Sequence, residues 1–528
     1  MKKKMIIWLI VLLAVLAVVG GCLWNRFWAP KTRLIILPIA PVFSSLGVGS
    51  GVPEVVINAV ADANPKAQMV VTEKVKARLT VSHQPTATEW VLAPVVPFPT
   101  IKDAISWSDI LAFWKEGNRR VLPTLFCTRE VEAGLEALLG RPNTDAPIKI
   151  VSLEKIIDEA WAAHPAAWAI VPFDQLTPRW KVLRLDGADV LEKGLREKEY
   201  PLRIYFSIEG EQADKFTFPQ FTNRDEEQMT VLMMTGVTAL VRATAVQMER
   251  NGILYPSQHV GPVLRSADIT HISNEIPFAK DCPFPDANQK TLTFCSDPRY
   301  IELLREVGTD VVELTGNHFE DYGPEATRET VAMYDKEGWR HYGGGIDLAN
   351  AQKPSMVIDH GNSISFMGCN PVGPQFAWAD ENYPGAAPCD FDYMQETLEQ
   401  LRNETVPVVT WQYEESYRYF PTPKQQEDFR RMIDAGAKIV SGSQAHQPQA
   451  MEFYNDGFIH YGLGNLFFDQ MEELGTRQEC IDRHIIYNGR HISTELLTFM
   501  LENYAQPRPM IIEERQALLQ SLFSASGW

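Results

Sequence analysis

Short apolar runs recur through the second half of the chain: MTVLMMTG, DVVELT, SISFMG, VPVVTW, AKIVSG and GFIHYG. Each is six to eight residues long, the length of a strand rather than a helix, and stretches with helical spacing separate them. This alternation restricts the chain to the α/β class, in which helices cover the faces of a sheet. The same pattern runs from about 32 to 205, where RLIILPIA, WVLAPVVPF and AAWAIVPF alternate with helical segments. In SLEKIIDEAWAAHP, Ser152 can cap a helix whose Leu153, Ile156, Ile157, Ala160 and Trp161 share a face. A second well-marked helix start has Thr422 as N-cap, Pro423 at the first helical position and Gln425 three after the cap. Residues 206–228 are polar and without sustained periodicity, so a boundary is expected there. At 528 residues the chain is too long for one ordinary core. The expected division is an anchor and tether over 1–31, a smaller α/β domain over 32–205, a linker over 206–228, a second α/β domain over 229–500 and an extension over 501–528.

Hydrophobic residues at 45% and charged residues at 22% are globular values. The net charge of -18 repels phosphate backbones and no basic stripe offsets it, which argues against nucleic acid as a partner. The N-terminus, MKKKMIIWLIVLLAVLAVVGGCLWNR, sets three lysines before an apolar segment and then Val19-Gly20-Gly21-Cys22. Small residues before a cysteine look like a bacterial lipoprotein cleavage site, with Cys22 lipidated. The alternative is an uncleaved span over residues 5–24, about enough to cross a hydrocarbon core. Either way the rest of the chain is expected outside the cytoplasmic membrane, anchored to it. Of the other cysteines, Cys282 with Cys295 and Cys369 with Cys389 are plausible disulfide pairs, free buried thiols being the alternative. No CxxC pair suggests zinc or redox chemistry.

Functional residues of α/β proteins gather where strands end and loops open. Four such ends are polar here: Ser273-Asn274-Glu275, Gly316-Asn317-His318, Gln412 to Glu415, and GSQAHQPQ at 442–449. One shared pocket is the expectation. Each residue also has a plainer reading. Asn317 can cap the helix beginning near Pro324 or hold a turn, and His318 can be a hydrogen-bonded loop histidine. Glu275 can pair with a nearby Lys or Arg, while Glu414 and Glu415 read as a solvated pair. YGGG at 342–345 lacks the Lys-Ser/Thr of a phosphate-binding loop and reads as a turn. His271, His341, His460 and His484 lack ligand spacing and read as packing or surface residues.

Seven ordered segments carry a family resemblance: TGVTALVR at 235–242, SNEIP at 273–277, ELTGNHFEDYG at 313–323, YGGGIDLANAQKP at 342–354, WQYEESYRYFP at 411–421, DAGAKIVSGSQAHQPQ at 434–449 and IHYGLGNLFFDQ at 459–470. Together the segments resemble the CapA proteins, linked to poly-γ-glutamate capsule synthesis and built on a calcineurin-like metallophosphoesterase fold. The resemblance implies a four-layer α/β/β/α sandwich for the second domain, preceded by the smaller α/β domain. ISWSDILAFWKEG at 105–117 and AIVPFDQLTPRWKVLRLDG at 169–187 resemble the two-lobed periplasmic solute-binding proteins. In the metallophosphoesterase fold, strand-end carboxylates, amides and histidines surround metal ions that make bound water a nucleophile. The resemblance therefore implies Glu275, Asn317 and His446 as metal ligands, His318 as a proton donor and Asp321 as its orienting partner.

The departures lie at the strongest ligand positions. The family's Gly-Asp is Gly236-Val237 here, and Gln412 and Gln444 stand where the family has histidines. An amide oxygen can ligate a hard cation but lacks the charge of a carboxylate and the basicity of an imidazole. What remains is a single weakly held Mn, Mg or Ca ion on Glu275, Asn317 and His446, with Gln412 and Gln444 in reserve, or a metal-free pocket. The expected function is synthesis, export or attachment of an anionic envelope polymer such as poly-γ-glutamate, with the polymer or its synthesis machinery as partner. Lys280, Arg299, Arg305, Arg328 and Arg418 are the nearby cations for a polyanion. The alternatives are a metal-dependent surface hydrolase of phosphoester or amide bonds with a reduced metal site, and a ligand-binding module with a degenerate catalytic domain.

Overall fold

The computed structural model describes residues 44–528 apart from 73, 121 and 196–198. Cys22, the apolar segment over 5–24 and the run RLIILPIA lie outside the described residues. The fold is mixed α/β. Its first part is a ten-stranded mixed sheet around the long strand Thr88–Pro97, which is buried along almost its whole length. The helix Trp107–Glu116 starts in a capping box between Ser106 and Asp109 and stops at Gly117, whose φ of 67° suits a residue without a Cβ. Leu153–Ala162 is helical with Ser152 at the N-cap position, although the Ser152 side chain makes no capping bond. The polar stretch 206–228 lies partly in this sheet. The strand Arg203–Glu209 pairs with Arg78–Ser82 and Thr88–Pro97, and Phe221–Thr222 pairs with Thr88 and Glu89.

The second part holds two more sheets. In the eight-stranded one, Met229–Thr238, Ile269–Asn274, Thr309–Glu313 and Arg340–Tyr342 run parallel, and Gln478–Tyr487, Arg490–Glu502 and Gln506–Pro509 extend it antiparallel. The six-stranded sheet has Asn362–Cys369, Val406–Ser416, Ile439–Ala445 and Gly457–His460 parallel at its centre. Strand side chains alternate between faces, so Leu232 and Met234 enter one core while Met233 enters another. The first core joins Leu232, Met234, Ile269 and Val311 to Ile364, Phe366, Val408 and Ile439, strand residues of both sheets. The second puts Met233, Ile272 and Val312 against Ala245, Leu264, Leu303 and Val331 of covering helices. A third places Val409, Trp411 and Val440 against Leu398, Phe429 and Met432. The central strands are apolar throughout because both faces are covered. Residues 501–528 are not a loose tail: Leu518, Leu519, Leu522 and Phe523 of the helix Ile512–Ala525 join the inter-sheet core.

The helix Pro423–Ala435 starts in a capping box between Thr422 and Gln425. Both plausible cystine pairs are closed, Cys282 with Cys295 and Cys369 with Cys389, and Cys127 and Cys480 are free and buried. His271, His460 and His484 are core residues.

Candidate functional site

The parallel strands of both sheets end on one side, and the polar residues at those ends meet. Glu275 follows the strand Ile269–Asn274, Asn317 follows Thr309–Glu313, Gln412 lies within Val406–Ser416 and Gln444 within Ile439–Ala445. Gln412 joins them: its Nε2 donates toward Glu275 Oε1 at 3.2 Å, Asn317 Oδ1 at 3.0 Å and Gln444 Oε1. Its Oε1 accepts from Ser443 Oγ at 3.0 Å. Glu275, Gln412 and Gln444 are each at most 5% exposed. Two glycines permit the close approach. A Cβ on Gly316 would stand 2.3 Å from the Glu275 carbonyl oxygen, and one on Gly236 would stand 2.0 Å from that of Gly464. Gln444 has a φ of 72°, a left-handed conformation that costs a non-glycine residue about 1–3 kcal/mol and persists only where its surroundings enforce it.

Beneath this cluster Glu313 is buried, accepting from Thr315 Oγ1 at 2.5 Å, with Ser443 Oγ 3.2 Å away. Burial pushes its carboxyl pKa up, against the lowering effect of these hydroxyls. Beside the cluster, His318 Nδ1 and Asp321 Oδ2 are 2.7 Å apart. Burial pulls His318 toward its neutral form, but the Asp321 hydrogen bond and the charges of Glu275, Asp321 and Glu415 outweigh it, leaving the pKa above the ordinary histidine value. Such a histidine holds a proton for donation or for contact with an anion. Asn317 is not the helix cap: the helix Gly323–Glu337 is preceded by Tyr322. Glu275 has Gln412 as its partner rather than a Lys or Arg. Glu414 and Glu415 are exposed.

His446 is buried near the group but hydrogen-bonded to none of the four. Its Nδ1 lies 2.9 Å from Asn465 Oδ1, and its ring packs between Tyr417 and Phe468 at centroid distances of 5.8 Å and 5.3 Å. Val237 is 1% exposed and brings no charge.

Residue-by-residue reading of the sequence passes over Arg242, the last residue of TGVTALVR. Its φ is 46°, its Nη2 meets Asp469 Oδ1 at 2.5 Å, and its guanidinium lies over Phe294 at 5.3 Å and Phe468 at 4.9 Å. Asp469 also accepts from the Ala243 amide at 2.9 Å, at the start of the helix Arg242–Asn251, where a negative charge is favoured. Phe294 packs on His318 at 4.7 Å, and its amide donates to Asp321 Oδ2 at 2.8 Å. Arg242 and His318 thus share one aromatic wall. The signal for Arg242 was its place inside a family segment. Of the cations expected to serve a polyanion, Lys280, Arg299 and Arg305 are engaged with Glu329, Asp297 with Glu249, and Glu337, and Arg328 donates to the Ile346 and Asn382 carbonyls.

A divalent cation needs oxygen lone pairs converging at about 2.0–2.6 Å, with carboxylates to balance its charge. Here the oxygens of Glu275, Asn317 and Gln444 converge on an N–H donor, and Glu275 is the one carboxylate among them. The donor set does not fit the ion. Among the described residues, the group of His, Cys, Asp and Glu side chains with metal-like spacing is Asp268, Asp359 and His360. It lies at the opposite end of the strand Ile269–Asn274, and Lys193 Nζ stands 2.6 Å from Asp268 Oδ1 and 3.2 Å from His360 Nε2.

Residues 231–470 match the family model described as bacterial capsule synthesis protein PGA_cap. The capsule biosynthesis protein CapA of Bacillus anthracis is 25% identical over 276 residues, covering 51% of this chain and 67% of that one. The PGA biosynthesis protein CapA of Bacillus subtilis is 27% identical over 234 residues, covering 44% and 61%. The chain thus spans about two thirds or less of the length of these relatives. A solved structure of a putative 5'-nucleotidase from Staphylococcus aureus aligns at 12% identity and a TM-score of 0.34, covering 56% of this chain and 58% of that one. Every strand end of the hydrogen-bonded cluster falls inside the matched segment, and over that segment the chain is similar to the bacterial capsule synthesis proteins and the CapA proteins.

Proposed function

We propose that this protein acts outside the cytoplasmic membrane, anchored to it by residues 1–31, in the synthesis, export or attachment of an anionic envelope polymer such as poly-γ-glutamate. The observation that carries the reading is the family match over 231–470, which contains the whole strand-end cluster. The three lysines and the apolar segment before Cys22 support the anchor. The second domain is read as a four-layer α/β/β/α sandwich related to the metallophosphoesterases, supported by one apolar core between the sheets and helices packed on the outer face of each. The first domain is read as the solute-binding-like unit over 32–205.

A chain of net charge -18 needs a local cation to hold a polyanion. Arg242, 21% exposed, stacked between two phenylalanines and paired with Asp469, and His318, paired with Asp321 on the same wall, are the cationic side chains through which the site would meet a polyanion, each by exchanging its carboxylate partner. Titration calorimetry of the full chain with poly-γ-glutamate tests the reading. Salt-sensitive binding that is weakened at least about tenfold by Arg242→Ala is expected. Absence of binding, or binding indifferent to both Arg242→Ala and His318→Ala, overturns it.

The His318 and Asp321 pair favours a second reading, a surface hydrolase in which His318 protonates a leaving group while Asp321 fixes its ring. Turnover of phosphoester or amide substrates that is lost in His318→Ala supports it, and no turnover sinks it.

A further inference from the structure

We infer that the Gln412 carboxamide occupies the place at which this strand-end cluster would coordinate a divalent cation, so that the site is complete without one. The inference rests on hydrogen-bond geometry and local charge and stands apart from the polymer reading. Three oxygens from three separate segments, Glu275 Oε1, Asn317 Oδ1 and Gln444 Oε1, surround a single nitrogen. A primary amide offers two N–H donors, shared here among three oxygens, and adds no charge. The opposite amide orientation would set Gln412 Oε1 against three acceptor oxygens and remove the acceptor that Ser443 Oγ meets at 3.0 Å. In this arrangement Nε2 faces the cluster, with the Glu275 carboxylate as the acceptor that cannot turn, and Oε1 faces Ser443.

Charge points the same way. A dication buried here would face one carboxylate, Glu275, because position 237 is an apolar valine and positions 412 and 444 are neutral amides. Glu313, the next carboxylate inward, is turned to Thr315 and Ser443. A buried dication with so little compensating charge carries a large uncompensated desolvation cost, whereas the neutral amide carries almost none. Val237, Gln412 and Gln444 thus act together: none brings a charged or imidazole ligand, and a hydrogen-bonded hub joins the four segments.

The test uses the full chain with Mn2+ and Ca2+ as probes. Equilibrium dialysis of the wild type is expected to show no stoichiometric ion, and its melting temperature is expected to move by less than about 1 °C between EDTA and millimolar cation. Gln412→Glu puts a second carboxylate against Glu275. Its melting temperature is expected to fall by at least about 3 °C in EDTA and to recover with cation in a saturable way. Gln412→His, which adds a ligand but no negative charge, is expected to bind cation no better than the wild type in the same dialysis. One ion per wild-type chain, lost in Glu275→Ala, overturns the inference. So does a Gln412→Glu protein whose melting temperature shows no saturable recovery with cation.

Discussion

Replacing His271 with glutamine removes a base that the fold keeps neutral. His271 sits in the strand Ile269–Asn274 at 1% exposure, with Nε2 2.8 Å from the Tyr342 hydroxyl and 3.7 Å from Glu313 Oε2. Burial drives its pKa from 6.5 down to about 3. Between these values the unfolded chain binds a proton at this position that the folded chain refuses. Stability is therefore lost as pH falls below 6.5, and the loss is complete near 3. The linkage integral gives about 0.8 kcal/mol at pH 6 and about 2 kcal/mol at pH 5. His271→Gln keeps an amide beside the Tyr342 hydroxyl but has nothing to titrate. Its stability relative to wild type, whatever its offset at pH 7, should improve by about 2 kcal/mol on going to pH 5. Urea unfolding of both proteins side by side at pH 7, 6 and 5 measures this. Titrating groups not in contact with His271 are common to both proteins and cancel in the difference. A difference that stays flat, or moves against the variant, refutes the claim that burial holds His271 neutral.

Opening the disulfide by Cys282→Ser with Cys295→Ser removes a cross-link over 13 residues of sequence separation and should cost about 3 kcal/mol, read as a lower melting temperature and new protease cleavage within 282–295. Because that loop carries Phe294 onto His318, the double variant should also change the His318 ring signals in NMR. Asp321→Asn removes the hydrogen-bonding carboxylate that raises the His318 pKa, so the NMR titration midpoint of His318 should move down; an unmoved midpoint contradicts the role given to Asp321. Gly316→Ala forces a methyl group against the Glu275 backbone and should destabilise the protein by about 1–3 kcal/mol, measured by thermal unfolding.

Much of this was legible in the chain itself. Apolar runs of strand length mark the central strands because strands covered on both faces carry little polar residue. Thr422, Pro423 and Gln425 mark a helix start because capping is local chemistry between neighbours. The strand-end positions of Glu275, Asn317, Gln412 and Gln444 follow from the same local pattern. The stretch 206–228 reads poorly because strands such as Arg203–Glu209 and Phe221–Thr222 are held by partners more than a hundred residues away, not by their own periodicity.

Sequence by itself determined the class of fold, the segments that carry the family resemblance, and that positions 237, 412 and 444 hold a valine and two neutral amides. It could not determine what Gln412 does there, because an amide presents an acceptor at one end and donors at the other, and its choice depends on what three distant segments bring to it. Tertiary structure made that choice by setting Glu275, Asn317 and Gln444 around Nε2 and Ser443 against Oε1. It also placed Arg242 between Phe294 and Phe468 and beside Asp469, a neighbourhood assembled from residues up to 227 positions apart in the chain. Local propensity ends where side chains meet across sheets, and both the hub and the aromatic wall lie beyond that limit.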